Sequence, residues 1–446
     1  MRVEDAFMMM ETATNHCNII AAFEIDGPPL DLPALQALVH RTLVARPSAA
    51  GSGASDALVG PRWPRLQQRP ALSCGCWFWE DMRESFDLSQ HVREQPGVAD
   101  EEALAELLAR FQAEPMDLDR PLWDVVLVRP GTHSGGSTVM FRVHHAMGDG
   151  ISLVRVILDA LEGNGSSAAP AAVGHAGASR TGGPGALAEL ASCVLHAPLL
   201  AVEQLCQLSD RSSLRPSALS GSKRVALLPT VALQRVKDVA RARGSTVSAV
   251  VAACFARALA TSGSLGSEGG RAASLKFWVP ISVRPSTGDA LEMRNDLCFL
   301  LMPLHTGASS ATSALAATDL LLKDMKSSNH APALLLVIRA AMLLMPLCVA
   351  QPFLNWIGNK GSGVFSSVPG PTAPLHWGGS RVASLRFLVP QRSGIAVGLS
   401  AVSYAGSLRG AVSADAAALP EPQRVAEAWC KALEELEAAE EAGGKK

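Results

Sequence analysis

An excess of charge of either sign is what this 446-residue chain most plainly lacks: 39 basic against 41 acidic residues leave a formal net charge of −2. Such a chain builds no field toward a nucleic-acid backbone and no strong pull to anionic lipid, so no nucleic-acid partner is expected. Metal-ligand spacing is missing too. The nine cysteines are odd in number and scattered, and Cys74-Gly75-Cys76 is too closely spaced for an ordinary zinc knuckle. No metal is therefore expected, and the thiols read as reduced, in a cytosolic compartment. The residues Met1-Arg2-Val3-Glu4-Asp5 show no basic leader running into an apolar core and a small-residue cleavage site, so secretion is not expected.

Apolar surface is abundant. Hydrophobic residues make up 48% of the chain, and the length suits two domains of ordinary size with a large core. A mean hydropathy of +0.19 is high for a freely soluble protein. Part of the excess has a location: residues 340–359 carry no charged side chain and are bounded by Arg339 and Lys360. A membrane-spanning helix needs about 20 mostly apolar residues, but Pro346 and Pro352 interrupt helical hydrogen bonding, and Gln351 and Asn355 are polar. The expectation is a helix pair lying in a membrane interface, or partly buried against the fold, rather than a span.

Strand and helix patterns alternate. A strand is expected over 19–25, and Asp31 with Pro33 starts a helix whose apolar positions are Leu35, Leu38, Val39 and Leu43. A second helix over 101–114 repeats the spacing through Leu104, Leu107, Leu108 and Phe111, and strands follow at 123–128 and 138–143. Between 163 and 185 the composition turns to Gly, Ala, Ser and Pro, a linker signal. A second set follows: strands near 224–228, 274–280, 364–368, 384–389 and 395–403, with helices over 230–243, 246–261 and 422–440. This divides the chain into a module over 1–162, a linker and crossover over 163–222, and a module over 223–446. By pattern alone these are two α/β modules.

The stretch His144-His145-Ala146-Met147-Gly148-Asp149-Gly150 sits where the strand over 138–143 meets a helix whose apolar positions are Ile151, Val154, Ile157, Leu158 and Leu161. An ionisable ring at a strand end, beside glycines that let the backbone bend, suits a general base at the mouth of a cleft. His145 heads the shorter pattern His-x-x-x-Asp and is the candidate base.

The full pattern His-His-x-x-x-Asp-Gly resembles the wax ester synthase/diacylglycerol acyltransferase family, within the wider group of coenzyme A-dependent acyltransferases. Further blocks fall in that family's order: Val3-Glu4-Asp5-Ala6-Phe7 with Glu11-Thr12, Phe86-Asp87-Leu88-Ser89-Gln90-His91-Val92, Pro121-Leu122-Trp123, Val279-Pro280-Ile281-Ser282-Val283-Arg284-Pro285, Ser366-Ser367-Val368-Pro369-Gly370-Pro371 and Ser403-Tyr404-Ala405-Gly406-Ser407-Leu408. The resemblance implies two chloramphenicol-acetyltransferase-like mixed-sheet modules packed around a substrate tunnel. It implies transfer of an acyl group from acyl-CoA to diacylglycerol or a long-chain fatty alcohol, with no cofactor, at the cytosolic face of a membrane or on lipid droplets. His145 would take the hydroxyl proton, His144 would orient the site or its backbone, and Asp149 would hold the loop, with Arg284 as a candidate partner. Gly150 would allow tight packing at the helix start. Pro121, Leu122 and Trp123 would shape the acyl channel, or form a strand start with a buried indole. Asn295 would order the site or polarise the oxyanion, and Asp296 would cap a turn.

Three departures touch the substrate more than the reaction. Thr246-Val247-Ser248-Ala249-Val250 stands where the family usually has Thr-Val-Asn-Asp-Val, Ser367 stands where an Asn is usual, and Ser48 to Ser55 replace a basic, proline-containing run. Two other readings remain open: a condensation-type transferase that depends on a carrier protein, and a catalytically silent lipid-binding protein on a membrane or droplet. Nucleophilic thiol catalysis has no support, since Cys74, Cys76, Cys193 and Cys206 have no neighbouring His-Asp arrangement.

Overall fold

The histidine strand, Ser137–His144, lies inside a six-stranded sheet in the order His376–Trp377, Ser380–Leu388, Asn18–Ile25, Ser137–His144, Trp123–Val128, Val92–Gln95. The computed structural model describes residues 1–46, 61–129, 136–162, 184–210, 212–265, 275–284, 292–328 and 330–443. The expected linker between 163 and 183, the run from Ser48 to Ser55, and Pro285 lie outside them.

Alternation along the strands gives this sheet two working faces. Ile20, Ala22 and Met140 pack against Leu104, Leu108 and Phe111 of the helix Glu101–Ala113. Ile19, Ala21, Phe23, Phe141 and Val143 point the other way, into a cavity. Asn18 pairs with His144, so the strand pair ends at the histidines.

The second sheet runs Leu297–Leu304, Leu275–Ser282, Gly363–Pro369, Val397–Tyr404, Ser407–Asp415, Lys223–Leu227, with Val231–Ala232 pairing on Ser407–Asp415. Behind it lies the helix Val247–Thr261, apolar on nearly every side and buried throughout Ala249–Ala256. A helix of that kind must be covered all round, and Ala311–Ser327 and Pro422–Gly443 cover it. In the latter, Val425, Trp429, Leu433 and Leu436 are buried, as their spacing predicts.

Two expectations change. Strand Ser380–Leu388 pairs along Asn18–Ile25, so residues from beyond 223 complete the first sheet and the boundary in sequence is not a boundary between sheets. The crossover over 163–222 is not all linker: Pro184–Cys206 is a 23-residue helix packed against the helix His330–Leu344. The proline-broken stretch 340–359 forms the end of His330–Leu344 and the helix Leu347–Gly358, separated at Met345-Pro346. Ala341, Ala350 and Leu354 pack on Met10, whereas Leu343 and Leu344 stay 73% and 83% exposed.

Candidate active site

His145 opens a single 3-10 turn directly after the histidine strand, with its backbone N–H donating to the Cys17 carbonyl at 2.7 Å. The ring is buried and borders the cavity. Its Nδ1 lies 2.9 Å from Asn295 Oδ1. The orientation of that amide is decided by its other partners: Asn295 Nδ2 donates to Asp5 Oδ1 at 2.9 Å and to the His145 carbonyl at 2.8 Å, both pure acceptors. Oδ1 must therefore accept, so Nδ1 carries the proton and Nε2 keeps its lone pair. Among the described residues, Nε2 has no protein partner. Burial depresses the ring's pKa, against the opposing pull of the Asp149 carboxylate, so the imidazole is neutral at pH 7.

Asn295 is positioned in turn by Asp5, whose Oδ1 also accepts from the Asn295 backbone N–H at 3.1 Å. Asp5 is fully buried on the helix Val3–Met8 and pairs with Arg65 at 2.7 Å. Burial raises its pKa, with Arg65 and Asn295 working against that rise. The chain Arg65–Asp5–Asn295–His145 thus ends on the free Nε2. Asn295 has no donor left over to polarise an oxyanion, so the structure gives it the ordering role alone.

His144 points away from the cavity. Its Nδ1 accepts from the Ala146 N–H at 3.1 Å, and its Nε2 donates to Glu11 Oε1 at 2.9 Å. Glu11 also accepts from His16 and from the Cys17 N–H. Burial works against its ionisation, but these hydrogen bonds outweigh it and hold the carboxyl at about 2. His144 thus ties the turn that carries His145 to the N-terminal segment and does not border the cavity.

Asp149 also borders the cavity, but both of its carboxylate oxygens are taken up by the loop around it. Oδ1 caps the following helix by accepting from Ser152 N–H at 2.8 Å, and Oδ2 accepts from Asp296 N–H at 2.8 Å. Arg284 pairs with it at 3.3 Å and reaches Ser152 Oγ at 2.6 Å. Asp296 does not cap a turn; its carboxylate pairs with Arg2 and Arg294.

Other expectations change. Gly150 borders the cavity, but a Cβ there meets nothing within 4 Å; the tight position is Gly148, where a Cβ would stand 3.2 Å from Ser152 Cβ. Pro121, Leu122 and Trp123 do not line the cavity. Leu122 and Trp123 are buried in the core on the same face of the sheet as Phe141, beside the cavity but not on its wall, with the indole N–H on the Leu66 carbonyl at 2.8 Å and the ring stacked on His91. The buried-indole reading is the one the structure supports.

The cavity itself, about 290 Å³, lies between the two sheets, with His145 on its wall. Ile19, Phe141, Val154, Trp278, Phe365 and Phe387 are among its many apolar walls. Ser248, Ser282, Ser366 and Ser367 also border it, as do Lys326 and Arg392. Among the described residues, no cluster of His, Cys, Asp or Glu could hold a metal ion.

Residues 1–181 match the model for the wax ester synthase/diacylglycerol acyltransferase catalytic domain, and residues 293–437 match that for the C-terminal domain of the same proteins. The chain belongs to this family. A Mycobacterium tuberculosis protein named for diacylglycerol O-acyltransferase activity is 28% identical over 382 residues, covering 77% of this chain and 73% of its own. Another from the same species is 26% identical over 411 residues, covering 84% and 87%. The fold is that of the wax ester synthase/diacylglycerol acyltransferase from Marinobacter aquaeolei VT8, with a TM-score of 0.67 at 20% identity over 99% of both chains. The first condensation domain of the calcium-dependent antibiotic synthetase also shares it, with a TM-score of 0.60 at 17% identity over 97% and 95%. Against the family's usual pattern, the serines at 248 and 367 that replace amide side chains both border the cavity, and neither belongs to the His145 network.

Sequence reasoning singled out His145 at the strand end and offered the Asp149–Arg284 pair that the structure contains, and it missed the contacts of Asp5, Glu11 and Arg65. Carboxylates at 5 and 11 flanking the apolar run Ala6 to Met10 were the available signal. Arg65 gave none.

Proposed function

We propose that this acyltransferase moves an acyl group from acyl-CoA to the hydroxyl of diacylglycerol or a long-chain alcohol, with His145 as general base. The observation that carries the reading is the Nδ1 bond to Asn295, which leaves a neutral ring with its Nε2 lone pair beside an apolar cavity. A neutral imidazole can accept a proton at pH 7 that an alcohol cannot lose alone. As the hydroxyl oxygen bonds to the thioester carbonyl carbon, Nε2 takes its proton. The tetrahedral intermediate then breaks its C–S bond, and the same proton passes to the departing sulfur. No covalent enzyme intermediate is needed. The test is one competition: purified protein, palmitoyl-CoA and equal diacylglycerol and hexadecanol, with both products and free CoA counted. Acyl transfer from a carrier protein but not from CoA would overturn the donor, and lipid binding without CoA release would overturn the reaction.

The same reading includes docking on a membrane or droplet surface. Among the described residues no single helix is long and apolar enough to cross a membrane. Leu343 and Leu344 project from one helix, Val349 and Trp356 from the next, and Leu195 and Leu199 from the crossover helix packed beside them. The inner faces of the first two, through Val337, Ile338, Phe353 and Ile357, line the cavity. Exposed apolar helices whose other side walls the substrate space fit a lipid surface that supplies the acceptor.

A further inference from the structure

Arg392 is the one guanidinium bordering the cavity among the described residues. It follows the strand Ser380–Leu388 and stands over the Phe7 ring, 3.7 Å from its centroid. Its Nε donates to the Met10 carbonyl and its Nη2 to Asn355 Oδ1, both at a long 3.3 Å. A guanidinium has five N–H donors, so among the described residues three are left without a protein acceptor, and no carboxylate there pairs with it. Burial lowers its pKa to about 10, which still leaves it charged. A half-buried cation on the cavity wall with unused donors has capacity left for the oxygen atoms of a ligand. Its bond to the Met10 carbonyl sets it against the N-terminal segment whose next residue, Glu11, holds His144 and whose Cys17 carbonyl holds the His145 N–H.

The position decides what kind of oxygen. CoA phosphates are separated from the thioester by the whole pantetheine arm, whereas the ester oxygens of a diacylglycerol lie within a few bonds of its reacting hydroxyl. A fatty alcohol offers nothing but chain there. We propose that Arg392 selects the acceptor, donating to an ester carbonyl of diacylglycerol and so favouring it over a long-chain alcohol. This rests on the acyl-CoA-to-hydroxyl reading given above. A hydrogen bond from a charged donor sets the scale at about ten- to a hundredfold in kcat/KM.

The test varies both sides of the contact. Wild type is assayed with palmitoyl-CoA and three acceptors: 1,2-diacylglycerol, the ether-linked 1,2-dialkylglycerol that lacks the carbonyls, and hexadecanol. The same set is run on Arg392→Met and Arg392→Lys, with a melting temperature for each variant. The expected result is that wild type favours the diacylglycerol over the dialkylglycerol by at least about tenfold, and that Arg392→Met removes this difference by losing diacylglycerol activity while hexadecanol activity is retained. Equal use of the ester and ether acceptors by wild type overturns the proposal whatever happens to the variants. An equal fall for all acceptors in a folded Arg392→Met also overturns it, since that marks a role on the thioester common to all. If wild type releases no CoA with any acceptor, it is the underlying reaction that fails.

Discussion

Replacing Asn295 by Ala separates the cost of the hydrogen-bond network to stability from its worth to catalysis. The substitution deletes two donations, to Asp5 Oδ1 and to the His145 carbonyl, but both acceptors keep a second donor: the Asn295 backbone N–H at 3.1 Å and the Gly148 N–H at 3.3 Å. Neither is left bare, so each of these losses stays near an ordinary net hydrogen bond, about 0.5–1.5 kcal/mol, while the buried His145 Nδ1–H loses its acceptor and adds about 1–3 kcal/mol, for about 2–6 kcal/mol in all. Catalysis loses as well. Without Oδ1 the proton is free to sit on either ring nitrogen and the ring is free to turn, forfeiting a share of the roughly 10²–10⁴-fold that a general base contributes. A fall in kcat of about 10–10²-fold is expected, with acyl-CoA affinity unchanged. The pH profile adds a sign. Burial puts the wild-type His145 pKa below the usual imidazole range, so kcat/KM rises on an acidic limb and is flat through neutral pH. The Asn295 hydrogen bond favours the protonated ring, so its loss moves that limb further toward acid. A variant with normal kcat and an unmoved limb, differing only in melting temperature, would refute the positioning argument.

Three further outcomes follow from the same geometry. Glu11→Gln removes a carboxylate whose folded pKa is about 2 against an ordinary value of about 4.5; because the folded value is the lower, the contribution is complete above about pH 4.5 and is lost as pH falls toward 2. Chemical denaturation should show the variant weaker by on the order of 3 kcal/mol at pH 7 and nearly equal to wild type at pH 2, and a pH-independent difference would contradict the assignment. Asp149→Asn removes the nearer of the two carboxylates paired with Arg284, 3.3 Å away against 3.7 Å for Asp296, and should cost about 1–3 kcal/mol together with activity; loss of activity at an unchanged melting temperature would mean that Asp149 takes part in the chemistry. Leu343→Ser, Leu344→Ser and Leu347→Ser together should weaken sedimentation with lipid vesicles and activity on dispersed lipid while sparing a short soluble alcohol, whereas a triple variant that fails to fold would assign the segment to the core.

What could be read in the sequence was whatever stands close together in it. His145, Asp149 and the helix after them lie within one run of residues, so a strand turning into a helix put the ring at a strand end before any coordinates. The helices at 32–39, 101–113 and 422–443 were legible because one apolar stripe must be buried and the spacing of leucines shows which. The role of Asn295 was not legible, because it depends on Asp5, some 290 positions away, consuming the amide's donors. Trp123 was ambiguous for a related reason: a buried indole and a channel wall have the same sequence, and only its bond to the Leu66 carbonyl and its stack on His91 separate them. The strand at 380–388 gave no sign that it would join the first sheet, since alternation specifies a face and not a partner. Arg392 carries no signal in the sequence, and only the closing of Phe7, Met10 and Asn355 around it makes it a cation on the cavity wall.

The central claim is that the free Nε2 of His145 takes the hydroxyl proton during acyl transfer. Its most direct test is release of CoA from palmitoyl-CoA, with and without a hydroxyl acceptor, by wild type and by His145→Ala, alongside acyl-CoA affinity and melting temperature. The account predicts acceptor-dependent CoA release by wild type and a fall of about 10²–10⁴-fold in the variant, with binding and fold retained. A folded His145→Ala protein that binds acyl-CoA and keeps more than about a tenth of wild-type turnover would contradict it.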